Sequence, residues 1–95
     1  MAGHSETLRL DKWLWFARIV KTRVLAQELA HSGHVRLNGQ RIKQAAKPVR
    51  IGDVLTIALP ARVRVLRVVG FAEQRGGATD GLLLYEELTE RGTAS

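Results

Sequence analysis

The residues best suited to chemistry lie between His34 and Lys43. Asn38-Gly39 stands between two short alternating runs, a strong signal for a two-residue β-hairpin turn. Such a turn pairs Leu37 with Gln40, Arg36 with Arg41, Val35 with Ile42 and His34 with Lys43. Side chains alternate across a strand, so Val35 and Ile42 share one face while His34, Arg36, Arg41 and Lys43 share the other. Two arginines directly opposite each other repel. A face of this kind fits a partner that supplies negative charge, although a merely solvated face is the commoner fate of a charged run. A second set precedes it: Arg23, Gln27 and His31 are spaced by four and form one polar ridge if the segment is helical. Arginine can grip phosphate with two donors and stack on bases, and glutamine can read a base edge.

The elements that would position these groups follow from periodicity. Leu10, Trp13, Leu14, Ala17 and Val20 recur at helical spacing, with Asp11 in the first turn where the helix dipole favours it. Trp15 lies off that stripe among Asp11, Lys12 and Arg18. It is either a base-stacking platform or a side chain covered by a later segment, such as the apolar run near Leu83. Thr22 suits the N-cap of a second helix and Gly33 its left-handed stop, with Leu25, Ala26, Leu29 and Ala30 on the buried side. Two helices followed by the hairpin would bring the Arg23 ridge close to Arg36 and Arg41.

Beyond the hairpin, Ala45 to Arg50 reads as an irregular connection, because Lys47-Pro48 favours extended backbone. Gly52-Asp53 turns into a largely buried strand over 54–59 that Pro60 ends. Arg62 to Val69 reads as another strand, with Val63 and Val65 inward, Arg62 and Arg64 outward, and a bulge where the alternation slips at Leu66 and Arg67. Glu73 to Gly81 reads as a glycine-rich loop. Leu82 to Glu90 has the pattern of a short amphipathic helix capped by Thr79 or Asp80. Met1 to Thr7 and Gly92 to Ser95 read as loose ends.

Composition narrows the function. The 95 residues fit one small domain with a modest core. The net charge is +6 at pH 7, which favours polyanionic partners. That charge is unevenly placed: Arg9 to Arg50 holds ten Lys/Arg against two acids, a local net of +8, while five arginines and five acids cancel from Val54 onward. There is no cysteine, which excludes disulfides and thiolate metal sites. No apolar run reaches membrane-spanning length and no signal-peptide core opens the chain, so a cytoplasmic protein with no membrane partner is expected. His31 and His34 lack neighbouring carboxylates or thiolates and read as surface residues. No Ser/His/Asp or Cys/His set, phosphate loop or metal-ligand spacing is present. A non-enzymatic protein with no cofactor and no metal is expected.

The stretch Arg9-Leu10-Asp11-Lys12-Trp13-Leu14-Trp15, then Lys21-Thr22-Arg23, Gly33, Val35, Asn38-Gly39 and Gly52-Asp53, resembles the RNA-binding domain named after the fourth small-subunit ribosomal protein, the αL motif. The tryptophan-rich opening, with Glu73-Gln74-Arg75 and Leu84-Tyr85-Glu86-Glu87, is similar to the heat-shock protein fifteen branch. The resemblance implies an α+β fold: two N-terminal helices packed on a small, mostly antiparallel sheet, here with a short C-terminal helix. It divides the chain into an RNA-binding core over 8–69 and a loop plus docked helix over 70–95. RNA is then expected along the second helix and the hairpin, at Arg9, Lys12, Lys21, Thr22, Arg23, Gln27, Arg36, Asn38, Arg41 and Lys43. The branch implies binding to ribosomal RNA of the large subunit, on subunits that keep a nascent chain and its tRNA, during heat shock or other stress. Its members usually continue into a basic C-terminal tail, and the run to Ser95 shows none, which bears on ribosome affinity. A monomer is expected. Other readings are a general RNA- or DNA-binding module, an accessory domain of an RNA-modifying enzyme, and a protein-interaction module using Trp15 and the terminal helix.

Overall fold

The computed structural model describes residues 7–71 and 84–88. Strand β1 (Thr7–Arg9) leads directly into helix α1 (Leu10–Phe16), and helix α2 (Arg23–His31) follows. Then come β2 (Val35–Leu37), β3 (Gln40–Ile42), β4 (Pro48–Arg50), β5 (Val54–Ala58), β6 (Val63–Val68) and β7 (Tyr85–Glu87). One sheet has the order β3-β2-β5-β6-β7 and a second pairs β1 with β4, every pairing being antiparallel. The α+β architecture with two helices on an antiparallel sheet is therefore as expected. Among the described residues no helix is long and apolar enough to cross a membrane.

Helix α1 ends for a local reason. Arg18 takes a left-handed φ of 62°, Ile19 N donates to Leu14 O at 3.0 Å, and Arg18 N donates to Trp15 O at 3.0 Å. This bond pair is the Schellman stop, with arginine where glycine is usual. It turns the chain before Val20 can extend the stripe, and it brings half-buried Ile19 to the core beside Leu14. At the start of α2, the Thr22 hydroxyl accepts from Leu25 N at 3.0 Å, as an N-cap should. Gly33, with φ +86°, releases the chain into β2.

The helices meet through small side chains. Ala26 and Ala30 are fully buried, which lets α2 approach α1 closely. Trp13, Leu10 and Leu14 pack from α1 against Val35, Leu55, Ile57, Leu66 and Val68 of the sheet and Val49 of β4. The Trp13 indole N–H donates to Gly70 O at 3.1 Å, so this buried tryptophan leaves no polar atom unpaired. Leu25, expected inside, is instead 43% exposed and lines an apolar groove with Val20, Leu29, Leu59 and Pro60.

The hairpin turns as expected: Arg36 pairs with Arg41, Val35 with Ile42 and Leu37 with Gln40. Asn38 and Gly39 both have positive φ, 50° and 89°, the requirement of the turn type that Asn-Gly favours. The hairpin is further tied to the turn before β5. Asn38 Nδ2 donates to Asp53 Oδ1 at 3.1 Å, Val54 N donates to Asn38 Oδ1 at 2.9 Å, and Arg50 N donates to Asp53 Oδ2 at 2.9 Å.

Several expectations need correction. Pro48–Arg50 is not irregular, because it pairs with Thr7–Arg9; Thr7 accordingly belongs to a strand. The β5–β6 register runs without interruption from Val54↔Arg67 to Ala58↔Val63, so no bulge occurs. Leu66 and Val68 are the inward residues of β6, and Val63 is half exposed. Arg64 shares the Leu66 face and is neutralised there by an ion pair with Glu87, a hydrogen bond from Nη2 to Tyr85 Oη at 3.2 Å, and the Tyr85 ring 5.5 Å away. Finally, Tyr85–Glu87 is not helical. It pairs with β6 as an edge strand, where Glu86 and Glu87 meet Arg67 and Arg64. The Glu73 to Gly81 loop, the Thr79 and Asp80 caps, Leu82 and Leu83, residues 1–6 and the end from Thr89 lie outside the described residues.

Candidate nucleic-acid interface

Two structural links join the predicted basic groups. The first lies where β1 enters α1. The Asp11 side chain is completely buried and accepts from Arg9 Nε at 3.0 Å, Arg9 Nη2 at 2.9 Å and the backbone N–H of Lys12 at 2.8 Å. Arg23, from the first turn of α2, brings its Nη2 to 3.9 Å from the same carboxylate. Its guanidinium lies 5.6 Å from the centre of the Trp15 ring, a cation–π distance. Burial pushes the Asp11 carboxyl up, but the Arg9 hydrogen bonds, the Lys12 N–H and the charges of Arg9 and Arg23 outweigh it and hold the group below the usual carboxylate range. The same hydrogen bonds raise Arg9. Trp15 thus remains half-buried, against Phe16 and beside Arg23, while Leu83, the expected cover, is not among the described residues.

The second link joins the far end of α2 to the hairpin. His31 Nδ1 lies 3.0 Å from Lys43 O. A Cβ on Gly33 would come within 3.3 Å of Lys43 Cε and 3.6 Å of Arg41 Cδ, so the aliphatic stems of both side chains run over this glycine. Arg36 stands directly opposite Arg41 on the outward face of the hairpin. From Arg23 to His31 the helix advances roughly 12 Å, and exposed Gln27 lies between. The ridge therefore reaches the basic strand face at its C-terminal end and the Arg9 cluster at its N-terminal end.

The expected residues separate by what their side chains already do. Gln27, Arg36, Arg41 and Lys43 are exposed along this surface, Lys12 is half-buried beside Asp11, and Lys21, also exposed, instead lines the apolar groove with Val20 and Leu25. Arg9 and Arg23 are held by Asp11 yet keep 47% and 38% of their side chains exposed. The Thr22 hydroxyl serves the helix cap and keeps its O–H as a donor. Asn38 uses both ends of its amide inside the fold. Sequence reasoning missed Asp11 as the organiser of two arginines, the place of Arg23 beside Trp15, and Lys47, which lines a notch with Arg41, Lys43 and Gln44. The spacing of Arg9 and Asp11 was a usable signal. The approach of Arg23 was not, because it depends on how α2 packs on α1.

A small antiparallel sheet backed by two helices, with cations along the second helix and the first hairpin, defines a class of nucleic-acid-binding module. Residues 8–55 match the model of the S4 domain. The chain belongs to the S4-domain family, on its heat shock protein 15 branch. It is 46% identical over 83 residues to heat shock protein 15 of Escherichia coli K12, an alignment covering 87% of this chain and 62% of that protein. The chain thus spans less than two thirds of the length of that relative. It is 31% identical to the RQC P-site tRNA stabilizing factor of Listeria innocua, over 90% of this chain and 96% of that one. A solved structure of Vibrio cholerae heat shock protein 15, described as trimeric, superposes with a TM-score of 0.79 at 40% identity, covering 86% of this chain and 82% of that chain.

Proposed function

We propose that the chain is a non-catalytic RNA-binding protein that engages ribosomal RNA on the large subunit, in particular subunits that retain a nascent chain and its tRNA, as part of a stress response. The observation that carries this reading is the run of exposed cations from Arg9 and Arg23 along α2 to Arg41, Lys43 and Arg36. Phosphates spaced along an RNA backbone match such a run, and Arg, Gln and Lys side chains suit its oxygens and base edges. The contact residues on this reading are Arg9, Lys12, Lys21, Thr22, Arg23, Gln27, Arg36, Arg41 and Lys43, with Asn38 acting through the shape of the hairpin. The relatives named for heat shock and for stabilising a P-site tRNA support the ribosomal part. They give no support to DNA as a partner.

The protein-interaction reading loses one of its two features, since Tyr85–Glu87 is a strand and not a helix. The monomer expectation draws no support from the trimeric solved relative. The test is co-sedimentation of the protein with purified large subunits, either carrying peptidyl-tRNA or empty. Preferential pelleting with the peptidyl-tRNA subunits, lost as salt rises, is the expected result. Equal pelleting with both would remove the stalled-subunit part, and no pelleting with either would remove the ribosomal part.

A further inference from the structure

An acid buried beneath one end of a surface that attracts a polyanion needs a reason. Asp11 is the only carboxylate within the first two predicted contact groups, Arg9–Lys12 and Lys21–Arg23. It cancels one of their charges, and it sits fully buried, where a carboxylate is retained only with strong partners. Both arginines present Nη2 to the same oxygen: Arg9 at 2.9 Å and Arg23 at 3.9 Å from Oδ2. Arg9 binds through one edge, Nε and Nη2, which leaves the rest of its planar fork with donors to offer. Arg23 is further confined by the Trp15 ring. Its Nε is buried with no hydrogen-bond partner among the described residues, so the side chain is not placed to satisfy itself. Unpaired buried donors are uncommon and call for an explanation. Here the packing against Asp11 and the Trp15 ring sets the guanidinium, and not hydrogen bonds of its own Nε.

We propose that Asp11 is a positioning residue: its buried carboxylate fixes the guanidinium groups of Arg9 and Arg23 next to each other as a preformed clamp for an RNA phosphate. The proposal rests on the RNA-binding reading above. Ordering both side chains during folding removes that cost from the binding step, and the planar forks match phosphate oxygens in a way that a mobile ammonium does not.

The sign of one substitution separates the clamp from simple attraction. Asp11→Asn preserves the shape and raises the net charge by one. Diffuse electrostatics then requires tighter binding to RNA, whereas the clamp requires weaker binding. Affinity of the intact protein for fluorescently labelled large-subunit ribosomal RNA is measured across a salt series, with melting followed in parallel. The expected result for folded Asp11→Asn is a loss of about tenfold, with the log–log salt slope reduced by about one phosphate contact. A purely structural role would lower the melting temperature without moving that slope. Arg9→Lys and Arg23→Lys provide the arm that does not depend on Asp11→Asn folding: each keeps the charge and removes the fork, and each is expected to weaken binding by about tenfold. Binding by folded Asp11→Asn as tight as wild type or tighter would overturn the clamp. Wild-type affinity in both lysine variants would overturn it as well. Failure of the wild-type protein to bind this RNA at low salt would instead overturn the function on which the clamp rests.

Discussion

Asn38 offers the sharpest test of how the hairpin is built. Its amide bridges two turns, donating to Asp53 Oδ1 at 3.1 Å and accepting from Val54 N at 2.9 Å, and its φ is 50°. Asn38→Ala removes both hydrogen bonds and places a less tolerant residue in left-handed backbone. Two hydrogen bonds at about 0.5–1.5 kcal/mol each, with up to ~1 kcal/mol more for the φ of alanine, give a loss of about 1–4 kcal/mol. Asn38→Gly loses the same bonds but relaxes the backbone, so it should cost about 1 kcal/mol less than alanine. In a domain of this size, 1 kcal/mol shifts the melting temperature by about 4–8 °C. The alanine variant should therefore melt at least about 4 °C below wild type, with glycine in between. Circular dichroism melts read both values. A loss in Asn38→Ala below about 0.5 kcal/mol, the scale of an ordinary surface change, would refute the bridge. RNA affinity should fall in both variants well below their melting temperatures, since both lose the bridge that shapes the hairpin.

Three further outcomes follow from local geometry. Gly39→Val places a β-branched residue at φ +89° and should destabilise the fold by at least ~1 kcal/mol, weakening RNA binding in step. Unchanged melting and unchanged affinity would show that the turn is misassigned. Arg18→Gly puts the usual residue in the left-handed stop of α1 and should raise stability by about 0.5–1 kcal/mol; a lower melting temperature would mean that the arginine side chain contributes more than its strain removes. Asp11 governs the acid limb of stability. Because folding lowers its pKa, its contribution is complete above its unfolded value of about 4 and is lost as pH falls through the lower folded value. Melting should therefore decline below about pH 4, and the decline should be shallower in Asp11→Asn. A carboxyl carbon titration of Asp11 with a midpoint at or above 4 would contradict this sign.

Local signals carried the hairpin, both ends of α2 and the turn before β5, because each depends on one or two residues with unusual backbone freedom or a capping oxygen. Asn38-Gly39, Thr22, Gly33 and Gly52 are of this kind. The errors lie where distant segments decide. Thr7–Arg9 and Pro48–Arg50 carry no strand pattern alone and become strands because they pair across some forty residues. Tyr85–Glu87 reads as helix by spacing, yet the exposed edge of β6, with Arg64 and Arg67 awaiting acids, claims it as a strand. The inward valines of β6 were misread for a related reason. Val63 and Val65 alternate correctly, but the core takes the opposite set, Leu66 and Val68, and admits Arg64 only because Glu87 and Tyr85 meet it. At the candidate site, the cations were legible from composition. The spacing of Arg9 and Asp11 was legible as well, but the arrival of Arg23 at the same carboxylate was not, because it requires the packing of α2 on α1.

On the proposed reading an RNA backbone lies on a defined surface, the ridge of α2 and the outward face of the hairpin, and is not held by a diffuse positive potential. Arg36 and Arg41 face each other on the exposed hairpin, whereas Arg62 is exposed beside β6 and Arg67 pairs with Glu86 in an exposed bridge that contributes little. The direct test compares Arg36→Ala plus Arg41→Ala with Arg62→Ala plus Arg67→Ala, each removing two positive charges, for affinity to large-subunit ribosomal RNA at one salt concentration. The hairpin pair should lose roughly tenfold or more while melting no lower than wild type, since two repelling charges are removed. The control pair should lose less than about threefold. Equal losses in the two double variants would contradict a defined RNA surface.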